Sequence, residues 1–246
     1  MSGHSKWSTI KRKKAKADAE RGKLFTKLIR EITTAARQGG GDEEANPRLR
    51  AAVMAAKAAN MPLANIERAI KKGTGELPGA TYVQKTYEGY GPGGVAVMVE
   101  TLTDNPNRTT SDVRHIFTKY GGNLGETGCV SWMFENKGLI VVNRQDCSED
   151  RLLELVLEAG AEDMTTESDA YEIVCDPGQL PKIKEVLDSQ QIPILSSEVT
   201  YLAKTPVRVE GKTAEQVVKM MEALEDLDDV QHVYSNFDMD LKELEG

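Results

Sequence analysis

At 246 residues, 39% of them hydrophobic and 28% charged, the chain has the make-up of an ordinary soluble globular protein, with room for two or three modest domains. No apolar run approaches the roughly 18 residues of a membrane span, and Met1 to Lys14 is polar and basic where a secretory signal would carry an apolar core. The net charge of −8 hides a segregation: residues 1–75 hold 17 Lys and Arg against 7 Asp and Glu, a net of +10, whereas the other 171 hold 14 against 32, a net of −18.

Residues 1–17 are basic without a repeating apolar face, and read as a flexible or loosely helical arm. From Asp18 a helical period sets in: Leu24, Phe25, Leu28, Ile29, Ile32, Ala35 and Ala36 fall on one half of a helical wheel, and Lys23, Lys27, Arg30 and Arg37 on the other. Gly39-Gly40-Gly41 stops this helix. A second begins with Asn46 as N-cap and Pro47 at the first helical position, burying Leu49, Ala52, Val53 and Ala56. A third opens near Pro62, carries Leu63, Ile66, Ala69 and Ile70, and is expected to end at Gly73, with Lys71 and Lys72 in its last turn. Together they predict a three-helix bundle.

After the linker Gly73–Gly79 the period turns to alternation. Strands are predicted over Thr81–Glu88 and Val95–Thr103, joined by a glycine-rich turn at Gly89–Gly94, followed by a helix over Asn107–Tyr120. Short β-like runs at Val130–Glu135 and Leu139–Asn143 flank Asn136-Lys137-Gly138, read as a turn. Between Leu139 and Leu202 the order is strand, helix (Glu149–Ala159), two strands (Asp163–Thr166, Tyr171–Cys175), helix (Leu180–Ser189) and strand (Ile194–Tyr201). That is βαββαβ, the ferredoxin-like arrangement. A helix over Thr213–Leu227 and a strand over Val230–Asn236 then return to complete the earlier sheet. The expected fold is α+β and multidomain: a basic helical domain over 1–78, an α/β domain over 79–135 plus 204–246, and a ferredoxin-like domain over 136–203 inserted in it.

Little in the sequence suggests catalysis. Gly89-Tyr90-Gly91-Pro92-Gly93-Gly94 satisfies G-x-G-x-x-G, but a strand, Val95–Val99, follows it instead of a phosphate-binding helix, and Pro92 has no amide to donate. No P-loop or G-x-S-x-G elbow occurs. His4, His115 and His232 are widely separated and lack metal-ligand spacing, so no metal, no cofactor and no enzyme activity are expected. The three cysteines, Cys129, Cys147 and Cys175, form no CxxC pair, which fits a reducing cytoplasm better than a disulfide scaffold. The acidic run Glu222–Asp229 reads as a solvated helix face.

The basic block is the stronger signal. Lys6, Lys11, Arg12, Lys13, Lys14, Lys16, Arg21 and Lys23 lie within eighteen residues, and Lys27, Arg30, Arg48 and Arg50 extend the set along the helices. Such cations neutralise phosphates with little sequence preference. Trp7 beside them reads either as a ring that stacks on an unpaired base or as an anchor pinning the arm to the bundle. The competing account of the charge pattern is that the basic and acidic lobes attract each other. Arg108, at a predicted helix start where a cation opposes the dipole, reads either as a secondary anion site or as compensated by Asp112 and the helix amides.

Longer stretches carry a resemblance. Gly3-His4-Ser5-Lys6-Trp7, Leu24-Phe25-Thr26-Lys27-Leu28-Ile29-Arg30-Glu31-Ile32, Asn46-Pro47-Arg48-Leu49-Arg50, Asn60-Met61-Pro62, Asn65-Ile66-Glu67-Arg68-Ala69-Ile70 and Tyr87–Gly94 together resemble the YebC family over essentially the whole chain. Pro106 and Cys129 depart from its commonest pattern, the first weakening any anion site in that loop. The resemblance implies three domains, a cytosolic protein without catalysis, and one of two roles: a transcriptional regulator binding DNA, or a translational activator associated with ribosomes. The residues favour RNA, because the third helix offers few base-reading side chains and a basic arm suits folded RNA. DNA-binding transcription regulation is the alternative, and an interaction scaffold built on the acidic domains could accompany either. No membrane partner is expected.

Overall fold

The structure is a computed structural model that describes residues 6–14 and 19–240, except the side chains of residues 8, 12–14 and 19–21. It opens with four helices: α1 (Lys6–Lys14), α2 (Ala19–Gly39), α3 (Pro47–Ala58) and α4 (Leu63–Thr74). The last three form the expected bundle around Ile32, Leu49, Val53 and Ile66. Asn46 organises its tightest corner. Its side-chain oxygen accepts the Leu49 N–H at 3.1 Å, and its amide donates to the carbonyls of Ala35 (2.8 Å) and Gly40 (2.9 Å). One buried residue therefore closes α2 and opens α3.

Two expectations need correction here. α4 runs through Gly73 and is closed by Gly75, whose φ of 87° is the left-handed conformation of a helix C-cap. Gly73 has a packing role instead: a Cβ there would lie 2.5 Å from the Thr33 carbonyl oxygen and 2.6 Å from the Ala36 Cβ, so the glycine lets α4 touch α2. The arm, where described, is an ordered helix rather than a loose segment; residues 1–5 and 15–17 of it lie outside the described residues. α1 owes its order to tertiary contact, since Trp7 and Ile10 sit in the core of the following layer and Thr9 donates to buried Glu172 at 3.1 Å.

The rest of the chain builds β1 (Val83–Tyr90), β2 (Ala96–Thr103), α5 (Pro106–Lys119), β3 (Asn123–Leu124), β4 (Phe134–Asn143), α6 (Glu149–Ala159), β5 (Ala161–Thr166), β6 (Ala170–Cys175), α7 (Leu180–Ser189), β7 (Ile194–Ala203), β8 (Val207–Arg208), α8 (Gly211–Glu225), β9 (Val230–Ser235) and β10 (Phe237–Asp238). The first sheet has the order β3-β1-β2-β9, so the C-terminal strand returns to it as expected. In β2 the alternation is visible in its packing. Val97 and Val99 face a core shared with α1, α5 and α8, while Ala96 and Met98 face a smaller one with Val130 and Phe134. Of the G-x-G-x-x-G segment, expected to be a turn throughout, Gly89 and Tyr90 still pair as the end of β1, and the connection to β2 starts at Gly91, with positive φ at Gly93 and Gly94.

The second sheet has the order β5-β6-β4-β7, all pairs antiparallel. With α6 and α7 packed on one face through Leu152, Val156, Ile183 and Leu187, this is the ferredoxin-like unit. The expected turn at Asn136-Lys137-Gly138 is absent: β4 passes straight through it. β7 pairs along that whole stretch, Asn136 opposite Tyr201, Lys137 opposite Thr200 and Gly138 opposite Val199. A continuous partner strand satisfies the backbone there and overrides the local turn preference.

Candidate nucleic-acid interface

The N-terminal cations meet carboxylates of the same chain. On α1 the Trp7 indole N–H donates to Glu225 Oε1 at 2.8 Å, and Lys11 Nζ reaches the same oxygen at 3.0 Å. Lys6 lies 3.7 Å from Asp238. On α2 Lys23 pairs with Asp226 at 2.8 Å, and Lys27 donates to the Glu225 backbone carbonyl at 2.9 Å. Burial, offset in part by Glu225 and Asp226, holds the Lys27 ammonium below the usual lysine range. The run Glu222–Asp229 is thus not simply a solvated face: its end, where α8 leads into β9, is the surface on which the basic segment docks.

Asp229 is the centre of this docking. It is buried, and its oxygens accept from Arg30, from Arg108 (2.8 and 3.0 Å), from the Thr109 hydroxyl (2.6 Å) and from the Thr103 hydroxyl (3.3 Å). Burial alone would raise its carboxyl; the bonds from Arg108, Arg30 and Thr109 outweigh that and hold it at about 2. Arg30 also donates to the Leu102 carbonyl at 2.9 Å. One carboxylate therefore ties α2, α5 and the α8–β9 turn together.

These contacts bear directly on the candidate residues. Trp7 is only 6% exposed, so it is an anchor and not a stacking ring, but it pins the arm to the core beneath α5 and α8 rather than to the bundle as expected. Arg108 is held by Asp104 at 2.9 Å and by Asp229, rather than by Asp112, and is already occupied as an anion site. Arg48 makes a forked pair with Glu31 (2.6 and 3.0 Å), and Arg50 caps the carbonyls of Glu43 and Glu44. The side chains of Arg12, Lys13, Lys14 and Arg21, and the whole of Lys16, lie outside what the structure describes.

Another group of cations stays uncompensated. Arg68 and Lys71 are exposed on α4 without a salt-bridge partner among the described residues, and Lys72 follows at i+4 from Arg68 on the same face. Arg37 joins them from the end of α2, donating to the neutral Lys72 carbonyl at 3.4 Å. Neither the charge count nor the helical period singles this patch out, because Lys71 and Lys72 read as cations complementing a helix dipole. Their unpaired state is what makes them available to phosphate.

Among the described residues no group of three or more His, Cys, Asp and Glu is placed to hold a metal, and no helix is long and apolar enough to cross a membrane. The cysteines are unbridged, and burial pushes the Cys129 and Cys175 thiols up.

Comparison with known proteins agrees with this architecture. A crystal structure of a conserved hypothetical protein from Aquifex aeolicus, 54% identical, superposes with a TM-score of 0.84 over 96% of this chain and 98% of that one. A Desulforapulum autotrophicum protein is 60% identical over 97% of both chains, and one from Geobacter sulfurreducens 58% identical over 100% of this chain and 99% of its own. Both are named "Probable transcriptional regulatory protein". Residues 5–76 match the TACO1/YebC protein N-terminal domain, and residues 82–237 the TACO1/YebC second and third domain. With both parts matched in order along nearly its full length, the chain belongs to the TACO1/YebC family.

Proposed function

We propose that this chain is a cytoplasmic, non-enzymatic regulator of gene expression that binds nucleic acid through its helical bundle and acts on transcription at duplex DNA. The names of its relatives support the regulatory role. The observation that carries the binding surface is the patch Arg37, Arg68, Lys71 and Lys72, one face of the bundle whose cations make no salt bridge among the described residues. Cations a helical turn apart suit successive phosphates, which fix register without reading sequence. Joint replacement of Arg68, Lys71 and Lys72 by glutamine tests this. Duplex affinity should fall, and the slope of log affinity against log salt should become shallower by about 0.9 for each lost phosphate contact. An unchanged slope excludes the patch.

A second reading, a translation regulator bound to RNA or ribosomes, is favoured by one feature of α4. Its exposed side chains include Leu63, Ala64, Glu67, Arg68 and Lys71, in which Arg68 alone carries the fork that reads guanine. Direct readout from so few groups yields little discrimination among duplexes. Competition between a candidate promoter and random duplex, run beside ribosome sedimentation at ~150 mM salt, separates the two readings. A preference of about a thousandfold for the promoter, without co-sedimentation, supports transcription; the reverse supports translation.

A further inference from the structure

The chain has two tryptophans, and the fold treats them oppositely: Trp7 is 6% exposed, Trp132 64%. Leaving most of an indole in solvent forgoes much of one of the largest burial gains available to any side chain. Yet Trp132 is held in place. Its indole N–H donates to the Cys129 carbonyl at 3.1 Å, and Tyr90, itself 37% exposed, donates its hydroxyl to the same carbonyl at 3.2 Å.

The segment carrying that carbonyl is fixed by a buried charge. Glu88 on β1 accepts the backbone N–H groups of Gly128 (2.8 Å), Val130 (2.9 Å) and Ser131 (2.7 Å). Burial would raise its carboxyl, but these donors hold it below the usual range. Val130 and Phe134 on either side are buried, pinning the 3-10 turn Ser131–Met133 at both ends. A buried carboxylate thus rigidifies a loop that presents a solvent-facing indole.

We propose that Trp132, with Tyr90 beside it, is a stacking platform for an unpaired nucleobase, at the edge of the first sheet rather than on the helical bundle. The inference rests on the nucleic-acid reading above and specifies a single-stranded ligand for a second site. The surroundings select this occupant. Glu126, Thr127 and Glu135 are exposed, so no apolar stripe of the length needed by a docking helix runs beside the indole. An isolated aromatic face among polar groups suits one planar partner, and base stacking tolerates any sequence. Lys204, whose backbone N–H donates to the Met133 carbonyl at 2.9 Å, brings a half-exposed ammonium beside the turn; it pairs there with Glu135 at 3.2 Å, an exposed pair weak enough for the adjoining phosphate to exchange.

The test titrates the full chain with oligo-uridylate, oligo-thymidylate and a duplex of equal length, reading tryptophan fluorescence and affinity together. Single strands should quench the exposed tryptophan. Trp132→Ala should bind them about 5- to 150-fold more weakly, Trp132→Phe should recover part of that loss, and duplex affinity should stay unchanged in both. The uridylate and thymidylate arms show whether RNA or melted DNA is preferred. Equal single-strand affinity for wild type and Trp132→Ala, without quenching but with duplex binding intact, overturns the platform and leaves the bundle proposal standing. Failure of the wild type to bind any nucleic acid overturns both.

Discussion

Asp229→Asn is the sharpest test of how the N-terminal helices are held, because it removes one charge and little volume from the point where three elements meet. The fold lowers this carboxyl from 3.8 to about 2, which by linkage corresponds to about 2 kcal/mol of stability at neutral pH. The sign follows from the direction. A carboxyl whose folded value is depressed stabilises fully above its unfolded value and loses that contribution as pH falls through the folded one. The contribution should be whole above about pH 5, roughly half gone at pH 3 and lost below 2. The asparagine variant also leaves Arg30, largely buried, without an anionic partner and with the Leu102 carbonyl, the Tyr82 ring and a neutral amide oxygen, whereas Arg108, half exposed, keeps Asp104 and water. A cost of about 2–3 kcal/mol at pH 7 follows, below the roughly 3–5 of a fully buried broken pair. Urea unfolding followed by tryptophan fluorescence, on both proteins at pH 7 and pH 3, measures it. The gap should narrow by about 1 kcal/mol at the lower pH, because the variant has no proton to gain at this position. Equal midpoints at pH 7, or a gap indifferent to acid, would refute the assignment.

Three further outcomes are expected. Glu225→Gln combined with Asp226→Asn should free Lys11 and Lys23 and strengthen duplex binding by about 1.5- to 5-fold for each freed cation, with a steeper salt slope; unchanged or weaker binding argues that those pairs never compete with phosphate. Gly73→Ala should lower the urea midpoint by the equivalent of about 1–3 kcal/mol despite alanine's better helix propensity, because its methyl meets the Thr33 carbonyl; a higher midpoint would mean that α2 and α4 part easily. Trp7→Phe should cost about 1–2 kcal/mol through the lost bond to Glu225 and leave an emission spectrum dominated by the exposed Trp132, shifted to longer wavelength; an unshifted spectrum contradicts the burial of Trp7.

What could be read from the chain beforehand depended on how local the cause was. Asn46-Pro47 announces a helix start because cap and ring act within three residues, and α3 begins there. The order of elements after Leu139 marks the ferredoxin-like unit because each helix and strand carries its own period. Asn136-Lys137-Gly138 misleads because its turn preference is local while its partner, β7, lies some sixty residues away. The same distance rule separates the two glycines near the end of α4. Gly73 and Gly75 look interchangeable as caps until the approach of α2 reserves the first for packing. Trp7 and Ile10, three apart, carried a faint helical signal that the dense lysines around them obscured. Charge is the least legible of all. Sequence displays sign and density, but whether a lysine faces solvent or a carboxylate two hundred residues later is set by the finished fold, as Lys11 and Glu225 illustrate.

That last point changes what the basic N-terminus can do. Its described cations fall into two groups by the strength of their internal contacts. Arg30 is bonded to the buried Asp229 carboxylate, and Lys6 lies on a helix sunk in a core through Trp7 and Ile10, so a polyanion would have to undo several kcal/mol to recruit these two. Lys11 and Lys23 sit in exposed pairs, each worth at most about 1 kcal/mol and weakened by salt, and a phosphate backbone can take them over at little cost. The N-terminal segment is therefore a fixed anchor with a releasable basic fringe. On the proposed function, nucleic acid that first engages Arg37, Arg68, Lys71 and Lys72 would draw on that fringe without unfolding anything. Under that proposal the acidic end of α8 would act as a competitor that weakens every non-specific encounter by a small, salt-dependent amount, which is how a chain of net charge −8 would carry a polyanion-binding face without binding every polyanion it meets.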